Sequence, residues 1–496
     1  MMRNLLAAAS KYSMSNILIA VSGLISFPIL TRTLSVENYG LISLINAFIL
    51  FGVAFAKGGM QHSITRFYSD AKSEGQLQQY TSTSLTGLGS SSLIVATMIA
   101  IVFSLVSTYH ASFLAEYSLS MPLVVAVIAI IVFQAARSSM LNFFLVMELS
   151  TLFASIQVYG KYIVIAATVV AILLIEASVR AFFFALLLGE FIALLMTVFE
   201  FNRRKTVTIK WAAIDTRMLK GMMLYSLPML GYEVATIVHS IADRIVLDAL
   251  MGKEAVGHYS AAYNIAELFN VMIAISLATA IQPMYYKMWS EEGKEQTVAF
   301  LQKVLHFYMA LFPAVVWGVI VIGEDLLIFL ASEKYAPGAV IFPFVITGLL
   351  MNATAFIYAA GLYLHKLTMR LFVPVLLCSA LNIVLNFVLI PEFGLRGAGM
   401  STLLSMMVLS VTMFFRGRAV LTLDVSLLMF AKYIAISSVM GVAMMNVDFG
   451  APLPNIAVKV TLGIAIYSIL LLMVDRTSRD LAARLMTSIR TKTSNG

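Results

Sequence analysis

Placing a charged side chain at bilayer depth costs about 2.5–3.5 kcal/mol on insertion scales, so an apolar run tolerates one only where a partner or a watery space compensates it. Lys161, Glu190, Glu233, Asp243, Arg244, Asp248, Glu267, Lys432 and Lys459 all fall within long apolar runs of this chain. They are densest between 225 and 248. There Ser226, Glu233, Ser240 and Arg244 follow one helical stripe, and Tyr225, Tyr232, Thr236, His239 and Asp243 follow the adjacent one. Together the stripes make one wide polar face that cannot point at lipid. It faces a cavity or another helix. Arg244 and Asp248, spaced i,i+4, either pair with each other near a surface or serve that cavity. Glu233 has no partner one turn away. Lys161 pairs with Glu190 across neighbouring helices, snorkels, or supplies positive charge to an anionic substrate. Lys432 and Lys459 lie near the ends of their runs, where snorkelling is expected. His62 and His306 read as loop or end residues without metal-like neighbours.

The elements that carry these groups follow from composition. Of the 496 residues, 60% are hydrophobic and 12% charged, against about 25% charged in soluble domains. Lipid is the solvent such a chain suits. A helix crosses the hydrocarbon with roughly 20 apolar residues. Runs of that kind lie near 12–33, 39–57, 83–108, 119–139, 151–175, 178–201, 222–249, 257–282, 299–322, 338–363, 367–390, 397–416, 424–446 and 454–474. The expected fold is therefore an all-α polytopic membrane protein of about fourteen helices. The runs are continuous rather than alternating, which excludes a barrel. Pro28, Pro313, Pro343 and Pro374 are expected to kink their helices.

Basic residues concentrate in alternate connections. Arg203, Arg204, Lys205, Lys210, Arg217 and Lys220 share one, and Arg476, Arg479, Arg484, Arg490 and Lys492 share the C-terminal tail. The opposite set holds Arg32, Arg180, Lys253, Lys334 and Arg396. That asymmetry places both termini in the cytoplasm. The net charge of +8 is scattered along the loops, which argues for membrane orientation and against nucleic acid. The longest inside connections, 202–221 and 58–82, are too short for a folded catalytic domain of at least about 50 residues. The sequence has no phosphate-binding glycine loop, no G-x-S-x-G, no H-E-x-x-H, and a single cysteine, Cys378. No cofactor or metal is expected, and no catalytic residue. A membrane-embedded glycosyltransferase needs a sizeable outer loop or an interfacial carboxylate pair, neither of which is evident.

The two halves resemble each other at an offset of 217 residues. Glu37, Gly40 and Ser43 fall on Glu254, Gly257 and Ser260; Tyr68, Ser73 and Glu74 fall on Tyr285, Ser290 and Glu291. The polar stripe Ser15, Ser22, Ser26 of the first run meets Tyr232, His239, Asp243 of the seventh. An offset of six spans keeps both halves in one orientation, so this is a parallel repeat about an axis along the membrane normal. The expected organisation is a six-helix bundle at 1–205, a second at 206–420, two additional helices at 421–475 and a basic cytoplasmic tail at 476–496.

Four ordered segments carry a resemblance to a known family. They are Phe27-Pro28-Ile29-Leu30-Thr31-Arg32-Thr33-Leu34-Ser35 with Glu37-Asn38-Tyr39-Gly40; Gly58-Gly59 through Arg66-Phe67; Asp243-Arg244, Gly252 and Val256 through Tyr263, with Pro283; and Asn382, Asn386 and Pro391 through Gly399. They resemble the Wzx-type O-antigen flippases of the multidrug and oligosaccharidyl-lipid exporter superfamily. Ala398-Gly399 stands where that family usually has two alanines. The resemblance implies two six-helix bundles, two extra helices and a central cavity in a bacterial inner membrane. It implies that undecaprenyl-diphosphate-linked oligosaccharide passes from the cytoplasmic to the periplasmic face by alternating access, coupled to H+ or Na+ antiport. The implied partners are that lipid-linked oligosaccharide, membrane lipid, and polysaccharide polymerase and chain-length regulator proteins. Arg66, Lys161 and Arg244 are the candidates for holding the anionic diphosphate and sugar acids. Glu190, Glu233 and Asp243 are the candidates for ion coupling. The alternative is a small-molecule cation antiporter of the same superfamily.

Overall fold

The computed structural model describes residues 2–110, 120–147, 149–203, 210, 213–365, 367–424 and 426–480. The tail beyond 480 and the basic positions 204 and 205 lie outside them. The described chain is all-helical, as a lipid-embedded backbone must be when each N–H and C=O finds its partner inside its own segment. In order, the helices are α1 (Met2–Thr33), α2 (Val36–Lys57), α3 (Met60–Ser73), α4 (Leu77–Tyr109), α5 (Met121–Val146), α6 (Ser150–Leu174), α7 (Val179–Arg203), α8 (Thr216–Met251), α9 (Lys253–Asn270), α10 (Ser276–Glu291), α11 (Gly293–Leu330), α12 (Phe342–Tyr358), α13 (Ala360–Leu364), α14 (Thr368–Phe393), α15 (Leu395–Arg418), α16 (Leu427–Met445) and α17 (Pro452–Val474). A π-helical turn, Val271–Ile275, joins α9 to α10 in one continuous rod, and a 3₁₀ segment, Glu333–Ile341, leads into α12.

Among the described residues, twelve segments are long and apolar enough to cross a membrane. With α1 and α8, which are of membrane length, they occupy the fourteen runs expected. One connection carries a helix of its own, and one local expectation fails. The connection at 58–82 is largely helical: α3 is amphipathic, burying Met60, Ile64 and Ala71 and exposing Thr65, Arg66, Asp70 and Lys72. Pro343 sits in the first turn of α12, where its missing N–H costs nothing, and so starts a helix instead of kinking one.

The chain forms two compact units: Met1–Ser260 with Val375–Gly397, and Ala261–Pro374 with Ala398–Gly496. In the first, Leu41, Ile45, Ile49 and Val53 of α2 pack on Leu123, Ile130 and Ile131 of α5, and Val164 and Ile172 of α6 meet Phe183 and Leu186 of α7. A methyl group on Gly189 would lie 2.8 Å from Val164 Cα, so this glycine sets how closely α6 and α7 approach. A second core, of Met60, Ile64, Tyr80, Phe143, Phe144, Phe201 and Met222, seats α3 against α4, α5, α7 and α8. α8 runs along α2 through Ile237, Ile241, Ala47 and Ala54.

In the second unit, α16 and α17 pack on α11 through Tyr433, Ile436, Met440 and Tyr467 against Ala310 and Ile322. Lys459 does not snorkel: it is buried, with Nζ 2.8 Å from Asp325 Oδ2, and Asn455 donates to the other oxygen at 3.1 Å. His306 is no free end residue either. Its Nε2 lies 3.1 Å from both Asp475 Oδ2 and the Tyr433 hydroxyl.

Candidate functional site

The polar groups of the first unit gather in three clusters. The first joins α5, α6 and α7. Glu190 of α7 is 4% exposed. Arg137 of α5 donates to it from Nε at 3.1 Å and from Nη2 at 3.4 Å, and Gln134, one turn earlier, donates at 3.0 Å. Gly160 of α6 leaves room for the guanidinium: a methyl group there would lie 3.2 Å from Arg137 Nη1. Lys161, the next residue, has an exposed side chain. It lies within electrostatic range of Glu190 and Arg137. Glu190 pairs with Arg137, and Lys161 forms no ion pair within 4.0 Å among the described residues. The cluster therefore sets two basic side chains, Arg137 and Lys161, near one carboxylate, Glu190.

The second cluster joins the end of α2 to α8. Lys57 Nζ lies 2.6 Å from Glu233 Oε1 and 3.0 Å from Gln61 Oε1, and Gln61 Nε2 donates to Glu233 Oε2 at 2.9 Å. Gly58 and Gly59, at φ +55° and +68°, turn the chain between Lys57 and Gln61. A methyl group on Gly59 would stand 2.5 Å from the Ser226 carbonyl oxygen. Ser63 fastens the same corner, donating to the Met222 carbonyl at 2.7 Å. His62, beside Gln61, has its pKa lowered by burial, opposed by Glu233 and aided by Lys57.

The third cluster surrounds Asp243 of α8. The carboxylate is 1% exposed and accepts from the Tyr259 hydroxyl at 2.5 Å and from Asn386 Nδ2 at 2.6 Å. Asn386 Nδ2 also reaches Asn382 Oδ1 at 3.2 Å, and His239 Nδ1 lies 4.0 Å from Cys378 Sγ. Asn386 Oδ1, Asn382 Nδ2 and His239 Nε2 are buried there without a partner among the described residues. Unpartnered buried donors and acceptors of this kind suit a small guest that donates and accepts hydrogen bonds or carries charge. Arg244, the neighbour of Asp243, points elsewhere: Nε donates to Ser260 Oγ at 3.1 Å and Nη1 to the Ser240 carbonyl at 2.9 Å.

The three cationic candidates thus occupy three different settings. Arg66 lies on the outward face of α3, 2.7 Å from Asp70 Oδ2, with both side chains more than half exposed. Lys161 lines the first cluster, and Arg244 braces α9. The three carboxylate candidates each anchor a separate cluster. Sequence reasoning named none of Arg137, Lys57, Gln134 and Gln61 as a candidate, and Tyr259 entered only within the segment Val256 through Tyr263. The i,i+3 spacing of Gln134 and Arg137 on one helical face was the available signal for the first pair. A separate open recess of about 590 Å³, lined by Gln79 and 213–217, lies at the start of α8 and holds none of the six candidates. Among the described residues no group of His, Cys, Asp or Glu is placed to hold a metal ion.

Among the described residues, twelve segments long and apolar enough to cross a membrane, with buried charged clusters between helices, define an all-helical polytopic membrane protein. Solved structures of this fold include a lipid II flippase MurJ in an inward closed conformation, at TM-score 0.75 and 16% identity over 95% of this chain and 99% of that one. An inward-facing multidrug resistance MATE family transporter of the MOP superfamily matches at TM-score 0.65 and 16% identity, over 82% and 97%. A MOP superfamily transporter from Pyrococcus furiosus matches at TM-score 0.61 and 16% identity, over 83% and 95%. The chain belongs to the polysaccharide biosynthesis protein family, whose model matches residues 5–289. No curated protein matches it closely enough to count as a relative.

Proposed function

We propose that the protein is a flippase for a polyprenyl-diphosphate-linked oligosaccharide, the repeat unit of a surface polysaccharide such as an O-antigen. It turns this lipid from the cytoplasmic to the periplasmic face of a bacterial inner membrane, with both termini cytoplasmic. The carrying observation is the charge balance around Glu190. Arg137 pairs with the carboxylate, and the exposed Lys161 adds a second basic group within electrostatic range of both. A diphosphate is the kind of anion such a site attracts. Family membership supports the pathway, and the flippase fold match supports the cargo class. A cation antiporter would need an uncompensated carboxylate there, but Glu190 and Glu233 are each held by a basic side chain.

Coupling follows from the third cluster. Asp243, with Asn386 and His239 beside it, takes H+ or Na+ and releases it on the other side, while the bundles 1–205 and 206–420 rock about the repeat axis. The test is deletion of the gene in its host, following lipid-linked repeat units and surface polysaccharide together. Repeat units accumulating on the cytoplasmic face, with surface glycan lost, is the expected result. Normal glycan with altered sensitivity to cationic drugs would overturn the reading in favour of a small-molecule antiporter.

A further inference from the structure

The offset of 217 residues that relates the two halves of the sequence reappears as physical contact. Ser43 and Ser260, repeat equivalents, meet hydroxyl to hydroxyl at 2.8 Å. A methyl group on Gly40 would lie 2.0 Å from the Lys253 carbonyl oxygen, and one on Gly257 would lie 2.2 Å from the Val36 carbonyl oxygen. Lys253 is the repeat equivalent of Val36, and Gly257 of Gly40. The two close approaches are therefore one contact with the halves exchanged. A local two-fold axis passes between the glycines and, one turn further in, between the serines. Here the starts of α2 and α9 cross backbone to backbone.

We propose that this crossing is the outer gate of the translocation path: it closes the path on the side where α2 and α9 begin, and it parts when the path opens there. The inference rests on the transporter reading. A contact on the repeat axis lies where a central path must pass. Its chemistry suits a joint that breaks and reforms. The contact is made mainly by glycine backbone, with the Val36 side chain laid over Gly257. Each serine hydroxyl, once released, can turn back to the carbonyl four residues earlier in its own helix, which replaces the lost bond. The gate is also tied to the coupling carboxylate. Tyr259 bonds to Asp243, and Ser260 bonds to Arg244, so the start of α9 is held on α8 at two consecutive residues.

The decisive experiment replaces both serines, Ser43→Cys and Ser260→Cys, whose oxygens already stand within bridging distance. In oxidised membranes a disulfide should form, export of surface polysaccharide should stop, and reductant should restore it, while each single variant exports throughout. Cross-linked protein that exports as fast as reduced protein would show a fixed pivot and overturn the gate. A second measurement needs no cargo. Ser43→Cys alone should react slowly with a membrane-impermeant maleimide from outside, and adding Gly257→Ala, which wedges the crossing, should speed that reaction. Equal labelling with and without the wedge overturns the proposal. A cargo other than a lipid-linked saccharide would change the export assay and leave the labelling result intact.

Discussion

Lys57 and Glu233 form an ion pair of 2.6 Å across 176 residues of sequence, closing α2 onto α8. Only 10% and 19% of their side chains are exposed. Removing one partner strands the other. Lys57→Met should lower stability by about 3–5 kcal/mol, and Lys57→Met with Glu233→Leu should recover most of the loss. Thermal unfolding of the purified protein in detergent checks both, and equal losses for the single and double variants would contradict the argument.

Lys161 should behave oppositely. It forms no ion pair among the described residues, so Lys161→Met should change stability by no more than about 0.5 kcal/mol. Export should nonetheless fall sharply, and Lys161→Arg should retain it. Surface polysaccharide measured beside protein abundance separates the two effects. A Lys161→Met strain with normal glycan would remove this residue from the substrate path.

Asp243→Asn should uncouple the protein from an imposed ion gradient. In proteoliposomes, an inward or outward H+ or Na+ gradient should accelerate translocation by the wild type and leave Asp243→Asn at its gradient-free rate. An unaltered response in the variant would place coupling elsewhere, with Glu190 or Glu233 next to test.

Asp215 gives a pH signature outside the membrane. Its carboxylate caps α8, and the backbone N–H groups of Met218 and then Arg217, with Gln79, hold its pKa below the ordinary carboxylate value. The unfolded chain, with Asp near 3.9, therefore binds the proton first as pH falls. The stabilisation is complete above about pH 5 and disappears as pH drops through the folded value. The difference in melting temperature between wild type and Asp215→Asn should accordingly shrink between about pH 5 and pH 3. A difference independent of pH would show that the cap acts through shape alone.

The helices were legible because hydropathy is a local property: each run had to supply its own spanning length. What was missed depends on partners or on boundaries. The fourth run was drawn to 139, whereas α5 continues to Val146 and carries Arg137 well inside the helix. The partner of Lys459 is Asp325, 134 residues earlier, and no periodicity reports such a pairing. α3 escaped because an amphipathic helix of 14 residues has the composition of a polar loop, and its apolar face becomes visible only against Tyr80 and Phe143. The Asp243 face, by contrast, was readable, because its polar residues recur at helical spacing within an otherwise apolar run.

The turn at Gly252 has a consequence for how the chain can vary in length. Asp243 and Arg244 each reach a partner 16 residues ahead, Tyr259 and Ser260. One residue inserted between α8 and α9 would advance the second helix by about 100° about its axis. The carboxylate, the guanidinium and the glycine crossing would then lose their counterparts together. Connections between helices ordinarily absorb insertions. This one works as a ruler, and viable variants of this protein should keep its length while its neighbours lengthen and shorten freely.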